Sequence, residues 1–420
     1  MTRIPNALRS LAFPLLAVAA LWSATPVELH GSLSVKGNKI VDQAGRPATL
    51  RGASLFWSQT EAGEKYYNAK VVNWLADDWN ATVVRAAMAV EGFDAQWGGR
   101  PDHAYLQDSA DQMKLVKTVV DAAIARGIYV IVDWHDHNAN LHLEKSKAFF
   151  KTMSETYGNT PNVIWEIWNE PSSSNTWSTV KSYADSVIPI IRKNSKNLVV
   201  VGTPQYSLKV AETVGNFLAD PNTCYAIHFY TGDDNHNNPA RADVRTVLKA
   251  NRAVFASEWG ASGSSGDGGP FLDNAKIWMD FLDSTGISST NWAIDDKPET
   301  SAALNAGAPG LGSWTPQDLK SSGAWVRTRL RSYKDTVTPL SSVRSAPAPA
   351  RWSLIGRVLR LKSSGWHIAT IQDLSGRSQA AYELDNGATL LPASTSGVLL
   401  VQIVGPEGQK STLTVAVPRL

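Results

Sequence analysis

The sequence contains only one cysteine, Cys224, in 420 residues, so no disulfide can form within the chain. Cys224 lies in an apolar run, and we expect a buried, unreactive thiol rather than a nucleophile. The formal net charge is only +2 and no long basic or acidic block occurs, which argues against a nucleic-acid partner. Beyond the amino terminus, no apolar stretch is long enough to cross a membrane.

Tryptophan, in contrast, is abundant: 16 tryptophans exceed the 10 phenylalanines. Indole rings fill protein cores, and they also offer flat surfaces for stacking on the apolar C–H faces of sugar rings. Composition alone does not decide between these two uses.

The first 25 residues have the pattern of an export signal. Arg3 and Arg9 precede an apolar stretch over residues 11–22, and small residues follow at two competing cleavage sites, 17–19 and 23–25. We therefore expect a signal peptide over residues 1–25 and a mature protein that is secreted or held at the extracellular cell surface.

From about residue 47 to 335 the chain alternates between short apolar runs and amphipathic stretches, within a catalytic domain that we expect over residues 26–340. Predicted strands, rich in Val, Ile and aromatic residues, cover residues 48–56, 82–88, 128–135, 162–169, 198–203, 225–230, 253–259 and 288–294. Predicted helices cover residues 64–79, 109–126, 143–157, 177–194, 241–250, 274–284 and 317–331, with a weak candidate at 208–216. Gly127 is expected to end the second helix. This α/β pattern predicts a (β/α)₈ TIM barrel, with a doubly wound open sheet as the alternative.

A barrel of this kind places its active site at the carboxyl ends of its strands. The residues there are mostly polar and have little reason to lie there for packing: Arg85, His135, Asn169, Glu170, His228, Tyr230, Glu258 and Trp292. This clustering predicts that the barrel is an enzyme.

Two glutamates stand out at the ends of the fourth and seventh strands, Glu170 and Glu258. Hydrolysis of a glycosidic bond with retention requires two carboxyl groups about 5–5.5 Å apart, one to protonate the leaving oxygen and one to attack the anomeric carbon. Both glutamates follow or precede tryptophans, and we expect burial among indoles to raise the pKa of the carboxyl that acts as acid. The alternative is a pair of solvated loop carboxylates.

The segment 163–171, VIWEIWNEP, resembles the acid/base signature of glycoside hydrolase family five, and 257–260, SEWG, resembles its nucleophile signature. The resemblance extends through 84–88 (VRAAM), 133–135 (DWH), 227–230 (IHFY) and 291–297 (NWAIDDK), in order, over most of residues 32–335. The pair Lys297 and Glu299 is similar to that of the bacterial endo-β-1,4-glucanases (cellulases) of the family. The resemblance implies a retaining endoglucanase without cofactor or metal, acting on a β-glucan; mannan, xyloglucan and mixed-linkage glucan remain alternatives.

The resemblance also implies roles for single residues. Glu170 is the expected acid/base and Glu258 the expected nucleophile. The expected substrate-binding and supporting residues are Arg85, His135, Asn169, His228, Tyr230, Trp292, Lys297, Glu299 and Trp57. In two places the sequence departs from many relatives: residues 55–57 (LFW) lack a histidine common after the first strand, and Tyr206 replaces a tryptophan common after the fifth.

Two other functions compete with this interpretation. Asp133, His135, Asp136, His137 and His142 form a dense run that is compatible with a metal-dependent hydrolase. However, no independent cluster of metal-ligating residues completes such a site. A non-catalytic glycan-binding protein would keep the tryptophans but would not need both glutamates.

The chain changes character after the barrel. Residues 341–351 are rich in Ser, Ala and Pro and are expected to be a linker. Alternating apolar runs separated by glycines predict a small all-β domain over residues 352–420. Its segments 358–361 (VLRL), 373–377 (DLSGR) and 396–401 (SGVLLV) resemble the sorting domains of the type nine secretion system, which implies the secretion machinery as a partner. A carbohydrate-binding or spacer module is the alternative.

Overall fold

The computed structural model describes residues 24–92 and 98–333, together with seven strands within residues 352–417. The chain divides into two compact units, residues 1–333 and 334–420. Almost all of the predicted signal peptide and the whole predicted linker lie outside the described residues. The first described helix, α1 (Pro26–His30), begins directly after Thr25, whose side chain caps it.

The first unit is a closed barrel of eight parallel strands in the order β10-β3-β4-β5-β6-β7-β8-β9, so that the last strand pairs with the first. Its strands are β3 (Arg51–Leu55), β4 (Val83–Ala89), β5 (Tyr129–His135), β6 (Val163–Glu166), β7 (Val199–Val201), β8 (Thr223–Tyr230), β9 (Val254–Gly260) and β10 (Ser289–Ile294). A short antiparallel pair, β1 (Ser34–Lys36) and β2 (Lys39–Val41), precedes them. The predicted (β/α)₈ barrel is confirmed, and the open-sheet alternative is wrong.

Helices connect the strands around the barrel. They are α2 (Glu61–Glu64), α3 (Ala69–Asp77), α4 (Ser109–Arg126), α5 (Leu143–Tyr157), α6 (Trp177–Arg192), α7 (Pro204–Ser207), α8 (Asn238–Lys249), α9 (Leu272–Thr285) and α10 (Ser321–Ser332). Gly127 ends α4 in the left-handed conformation, as expected.

Two connections differ from the prediction. The single helix expected over residues 64–79 is two helices, because the Asn68 side chain accepts hydrogen bonds from the backbone N–H groups of Lys70 and Val71 and starts a new helix there. After β7, the weak candidate at 208–216 is replaced by the short segment α7 and a 3₁₀ turn (Val210–Thr213). Gln205, Tyr206 and Ser207 in and next to α7 have positive φ angles of 54–59°.

Side chains alternate between the two faces of each barrel strand. Inward-facing apolar residues, among them Val83, Ile131, Ile164 and Cys224, form a buried cluster that fills the lower barrel. Burial raises the pKa of the Cys224 thiol, as expected for an unreactive cysteine. Two residues beyond Val83, Ile131 and Ile164, and four beyond Cys224, the next inward-facing layer is charged or titratable: Arg85, Asp133, Glu166 and His228. The barrel therefore has an apolar floor and a polar layer above it.

The second unit is all-β in its described strands. β11 (Trp352–Ile355), β12 (Val358–Leu361) and β15 (Ala388–Leu390) form one antiparallel sheet. β14 (Ser378–Asp385), β13 (Trp366–Gln372), β16 (Gly397–Val404) and β17 (Lys410–Val417) form another. Among the helices of the described residues, none combines the length and the apolar character needed to cross a membrane.

Candidate active site

A cleft of about 510 Å³ opens at the carboxyl ends of the barrel strands. Its lining includes most of the predicted site residues: Trp57, His135, Glu170, His228, Tyr230, Glu258, Trp292, Lys297 and Glu299. Arg85 and Asn169 are not part of the lining, because they lie buried beneath it. The loops after six different strands thus bring the predicted residues together.

Arg85 organises the base of the cleft. It is fully buried, and its Nε and Nη1 atoms donate to Glu166 Oε2 (2.7 Å) and Glu258 Oε2 (2.9 Å). Its Nη2 donates to Asn169 Oδ1 at 2.6 Å and lies 2.9 Å from Asp133 Oδ2. Burial opposes the charge on Arg85, but the three carboxylates outweigh it and raise its pKa. Arg85 therefore remains a fixed cation under the cleft.

Glu258 accepts one hydrogen bond on each carboxylate oxygen. Arg85 donates to Oε2, and the Tyr230 hydroxyl donates to Oε1 at 2.7 Å. Both donors favour the ionised form and fix the orientation of the carboxylate. An ionised, immobilised carboxylate is the form that a nucleophile requires.

Glu170 lies past the end of β6 and contacts two histidines instead. His228 Nδ1 is 2.9 Å from Glu170 Oε1, and His137 Nε2 is 3.2 Å from Oε2. The Nε2 atom of His228 is held by the Ser257 hydroxyl at 3.0 Å. Glu170 is thus placed among groups that can give and take protons, whereas Glu258 is placed among permanent hydrogen-bond donors.

The two glutamates face each other closely. One carboxylate oxygen of Glu170, one of Glu258 and a ring nitrogen of His228 all lie within 4.8 Å of one another. Inverting glycosidases separate their two carboxyl groups by about 6.5–9.5 Å, to leave room for a water molecule. The observed spacing is therefore that of a retaining pair.

The expected rise in the pKa of Glu170 is wrong for the unliganded protein. Burial does raise it, but the hydrogen bonds and positive charges of His137 and His228 outweigh burial and hold the pKa of Glu170 below its usual range. Burial lowers the pKa of His228, yet Glu258, Glu166 and Glu170 together raise it to about 9. Of Glu170 and His228, the histidine is therefore the group that favours the proton, and Glu170 favours its ionised form.

Burial and the negative charge of Glu170 raise the pKa of Glu258, while His228, Arg85 and Tyr230 act in the opposite direction. Once Glu170 takes up a proton, it no longer repels the charge of Glu258. The contacts that lower the pKa of Glu258, with His228, Arg85 and Tyr230, remain. A protonated Glu170 and an ionised Glu258 thus favour each other.

Aromatic rings form one wall of the cleft. Trp292 stacks on His135 with a centroid distance of 5.3 Å and an interplanar angle of 5°. Burial and the charge of Arg85 hold the pKa of His135 well below its usual range, so the ring is neutral and its Nδ1–H donates to Asp133 at 2.7 Å. Trp57 meets both rings edge-on. Most other tryptophans that stand out in the sequence, such as Trp134 and Trp165, are core residues.

A loop after β10 presents a charged pair to the cleft. Lys297 Nζ lies 2.8 Å from Glu299 Oε2, and Lys297 also lies over the Phe56 ring at 4.8 Å. The Lys320 ammonium donates to the backbone carbonyls of Lys297 and Glu299, each at 2.5 Å. Lys320 therefore fixes the position of this pair from outside the cleft.

Several of these residues were missed by the sequence analysis: Asp133 and Glu166 as partners of Arg85, His137 and Ser257 around Glu170, and Lys320. Asp133 could have been found from the alternation of side chains along a strand. It lies two residues before His135 and therefore on the same face. Lys320 joins the cleft loop only through tertiary contacts, and no sequence signal marks it.

The five residues between 133 and 142 that suggested a metal site do not all meet in one place. Asp133 and His135 contact each other in the barrel, and His137 contacts Glu170. Asp136 and His142 pair with each other at 2.8 Å. These side chains belong to three separate sets of hydrogen bonds, and Asp136 and His142 lie close to Glu91, with one ligand atom of each of the three within 4.8 Å of the others.

Comparison with known proteins gives a consistent result. Residues 41–298 match the family described as Cellulase (glycosyl hydrolase family 5). Endoglucanase N of Pectobacterium atrosepticum is 41% identical over 317 residues, covering 74% of this chain and 68% of that protein. Endoglucanase A of Evansella cellulosilytica is 45% identical over 293 residues, covering 68% of this chain and 57% of that protein. The chain thus spans somewhat more than half of the length of these relatives.

Solved structures are similar over the barrel. A structure from Cytophaga hutchinsonii has a TM-score of 0.69 and 43% identity, and it covers 73% of this chain and 97% of that one. The catalytic domain of a Thermobifida fusca endoglucanase, solved as a variant in complex with cellotetraose, has a TM-score of 0.67 and 31% identity. That alignment covers 74% of this chain and all of that one.

Proposed function

We propose that this chain, which belongs to the cellulase family, glycosyl hydrolase family 5, and is a retaining endo-β-1,4-glucanase, uses Glu170 as its acid/base and Glu258 as its nucleophile. The observation that carries the assignment is the different surroundings of the two carboxyl groups. Glu258 is bound by Arg85 and Tyr230, which keep it charged, whereas Glu170 is bound by histidines, which exchange protons.

The reaction proceeds by double displacement. Glu258 attacks the anomeric carbon while Glu170 protonates the glycosidic oxygen, so the leaving sugar departs as an alcohol. Glu170, now a carboxylate, removes a proton from water, and the water oxygen displaces Glu258 from the sugar. Two inversions at the same carbon return the original configuration. Arg85 balances the charge of Glu258 whenever that carboxylate is free.

The substrate is a β-glucan chain that lies along the cleft. Trp292 and Trp57 offer aromatic faces for glucose rings, with His135 packed behind the first of them. Lys297 and Glu299 supply a donor and an acceptor for the hydroxyls of an adjacent glucose. Arg85 acts from below the cleft by orienting Glu258, and Asn169 accepts a hydrogen bond from Arg85 there.

This assignment of the cleft predicts the substrate preference. Activity is expected to be highest on soluble β-1,4-glucan, and viscosity should fall before reducing ends accumulate, because chains are cut internally. Viscometry and reducing-sugar assays on glucan, mixed-linkage glucan, xyloglucan and mannan measure both quantities. A preference for mannan by a wide margin would contradict the proposed roles of Lys297 and Glu299 while leaving the two glutamates in place.

We also propose that the two ends of the chain direct the protein out of the cell. Residues 1–25 are a secretory signal, and residues 352–420 form a separate β-domain that directs the protein to the type nine secretion machinery, so that the enzyme acts outside the cell. Support comes from the signal-like sequence, from the resemblance of three tail segments to sorting domains, and from the division of the chain into two compact units.

A chain shortened to residue 340 tests the role of the tail. It is expected to hydrolyse soluble glucan at the full rate and, in its native host, to accumulate within the cell envelope. Cell fractionation followed by activity assays measures both outcomes. Normal export of the shortened chain would contradict the sorting role, and a loss of binding to insoluble cellulose would instead indicate a carbohydrate-binding module.

A further inference from the structure

The two oxygens of the Glu170 carboxyl group face two different histidines. Oε1 faces His228, which is only 1% exposed and is tied by its other ring nitrogen to Ser257. Oε2 faces His137, whose side chain is 27% exposed and lines the cleft. The histidine beside Oε2 is therefore the more exposed of the two.

His137 lies at the open side of Glu170. Its ring meets Tyr206 edge-on at 6.0 Å, and Tyr206 is 47% exposed at the rim of the cleft. Tyr206 is held there by its backbone N–H, which donates to the carbonyl of Pro171 at 2.8 Å. Glu258, Glu170, His137 and Tyr206 all line this cleft, so His137 lies beside Glu170 in the space that is open to a substrate.

The charges around His137 favour its protonated form. Burial opposes that form, but the hydrogen bond and charge of Glu170, together with the charges of Asp136 and Glu258, raise the pKa of His137. His135 and His228 also lie near this group, and His135 is neutral. Tyr206 meets the His137 ring edge-on. The charges around His137 therefore favour a proton next to Oε2.

We propose that His137 is the positioning residue that holds the acid proton in the free enzyme and passes it to Glu170 when a glucan chain binds. The N–H bond at Nε2 breaks and an O–H bond forms at Oε2, so an ion pair becomes a neutral imidazole beside a neutral carboxylic acid. The same proton then moves to the glycosidic oxygen. In the second half of the reaction Glu170 takes a proton from water, and that proton returns to His137 when the product leaves.

This inference rests on the proposed acid/base role of Glu170, and it separates the two histidines. A proton held by His228 would reach Oε1, on the side of the more deeply buried histidine. His228 is thus the buried partner of Glu170, whereas His137 is the more exposed partner that exchanges its proton with Oε2. Proton transfer through His137 also explains why the low pKa of Glu170 in the free protein is compatible with its role as an acid.

The test is the pH profile of kcat/KM for His137→Gln. Glutamine can still donate a hydrogen bond to Glu170, but it cannot carry a proton. With cellopentaose, the alkaline limb of the profile is expected to move to lower pH by about one unit or more. With 2,4-dinitrophenyl β-cellobioside, whose leaving group needs no proton, the limb of the variant should stay close to that of the unmodified enzyme.

His142→Gln is the matched control, because His142 also pairs with a carboxylate but lies outside the cleft lining. Its alkaline limb should not move. An unmoved limb in His137→Gln with cellopentaose, or an equal movement with both substrates, would overturn the inference. Failure of the underlying assignment would appear separately, as a Glu170→Ala variant that hydrolyses cellopentaose within a few-fold of the normal rate.

Discussion

Replacing Glu258 with alanine is expected to lower kcat by a factor on the order of 10⁵ or more on every substrate, the size typical of the loss of a covalent nucleophile. No neighbouring group can replace it, because Arg85 and Tyr230 are donors and Glu170 is held on the other side by His137 and His228. Steady-state kinetics on cellopentaose and on 2,4-dinitrophenyl β-cellobioside measure the loss. The two substrates should be affected alike.

Glu170→Ala should behave differently. Its loss on cellopentaose is expected to be about 10²–10⁴-fold, the usual contribution of a general acid, and much smaller in the bond-breaking step of the dinitrophenyl substrate. Glu91→Gln is a suitable control, since Glu91 is also a half-buried carboxylate beside a histidine, but it lies outside the cleft lining. Equal losses on both substrates in Glu170→Ala would contradict its role as acid.

Replacing Arg85 with leucine is expected to affect both stability and activity. The variant leaves Asp133, Glu166 and Glu258 buried without their shared cation, and breaking a buried ion pair in this way costs about 3–5 kcal/mol of the free energy of unfolding. Activity should fall by at least about 10²-fold, because Glu258 loses the donor that keeps it ionised. Urea unfolding and kcat/KM measure the two effects.

The stability loss should depend on pH. Without Arg85, the three buried carboxyl groups bind protons more readily in the folded protein than in the unfolded chain, so the variant is most destabilised at high pH and recovers as pH falls. Arg192→Leu is the control, because Arg192 joins Asp220 and three backbone carbonyls far from the cleft. It should lose stability but keep its kcat/KM. Equal stability losses at pH 5 and pH 9 in Arg85→Leu would contradict this account.

The sequence predicted the barrel well because fully buried strands leave a strong pattern of apolar residues. Residues 109–126 and 143–157 were predicted as helices with the same bounds that the structure shows, since both carry apolar residues at helical spacing. The prediction failed at 64–79, where the capping action of Asn68 divides one pattern into two helices. Capping depends on a single side chain and is easily missed.

The pKa of Glu170 was mispredicted for a specific reason. Trp165 and Trp168 flank it in sequence, but they project outward from the barrel, where Trp168 packs against Tyr183 at 4.9 Å. The groups that surround the carboxyl come from elsewhere: His137 from the loop after β5 and His228 from β8. The tryptophans near Glu170 in sequence therefore do not surround its carboxyl group. The histidines that do surround it lower its pKa instead of raising it.

The left-handed turn at Gln205, Tyr206 and Ser207 was also beyond sequence analysis. Three consecutive non-glycine residues with positive φ are uncommon, and nothing in their sequence requires this conformation. The turn is held by surrounding contacts, among them the Ser207 hydroxyl, which donates to the Asn169 carbonyl at 2.7 Å. It positions Tyr206 at the cleft, beside His137.

The configuration of the products formed with azide tests the roles of the two glutamates most directly. Glu258→Ala should be rescued by azide, which attacks the anomeric carbon in place of the carboxylate and gives a glycosyl azide of inverted, α configuration. Glu170→Ala should yield the retained, β-glycosyl azide, because the intermediate on Glu258 still forms and azide then displaces it. Proton NMR of the two products distinguishes these outcomes. Exchange of the two configurations between the variants would contradict the assignment of Glu258 as nucleophile and Glu170 as acid/base.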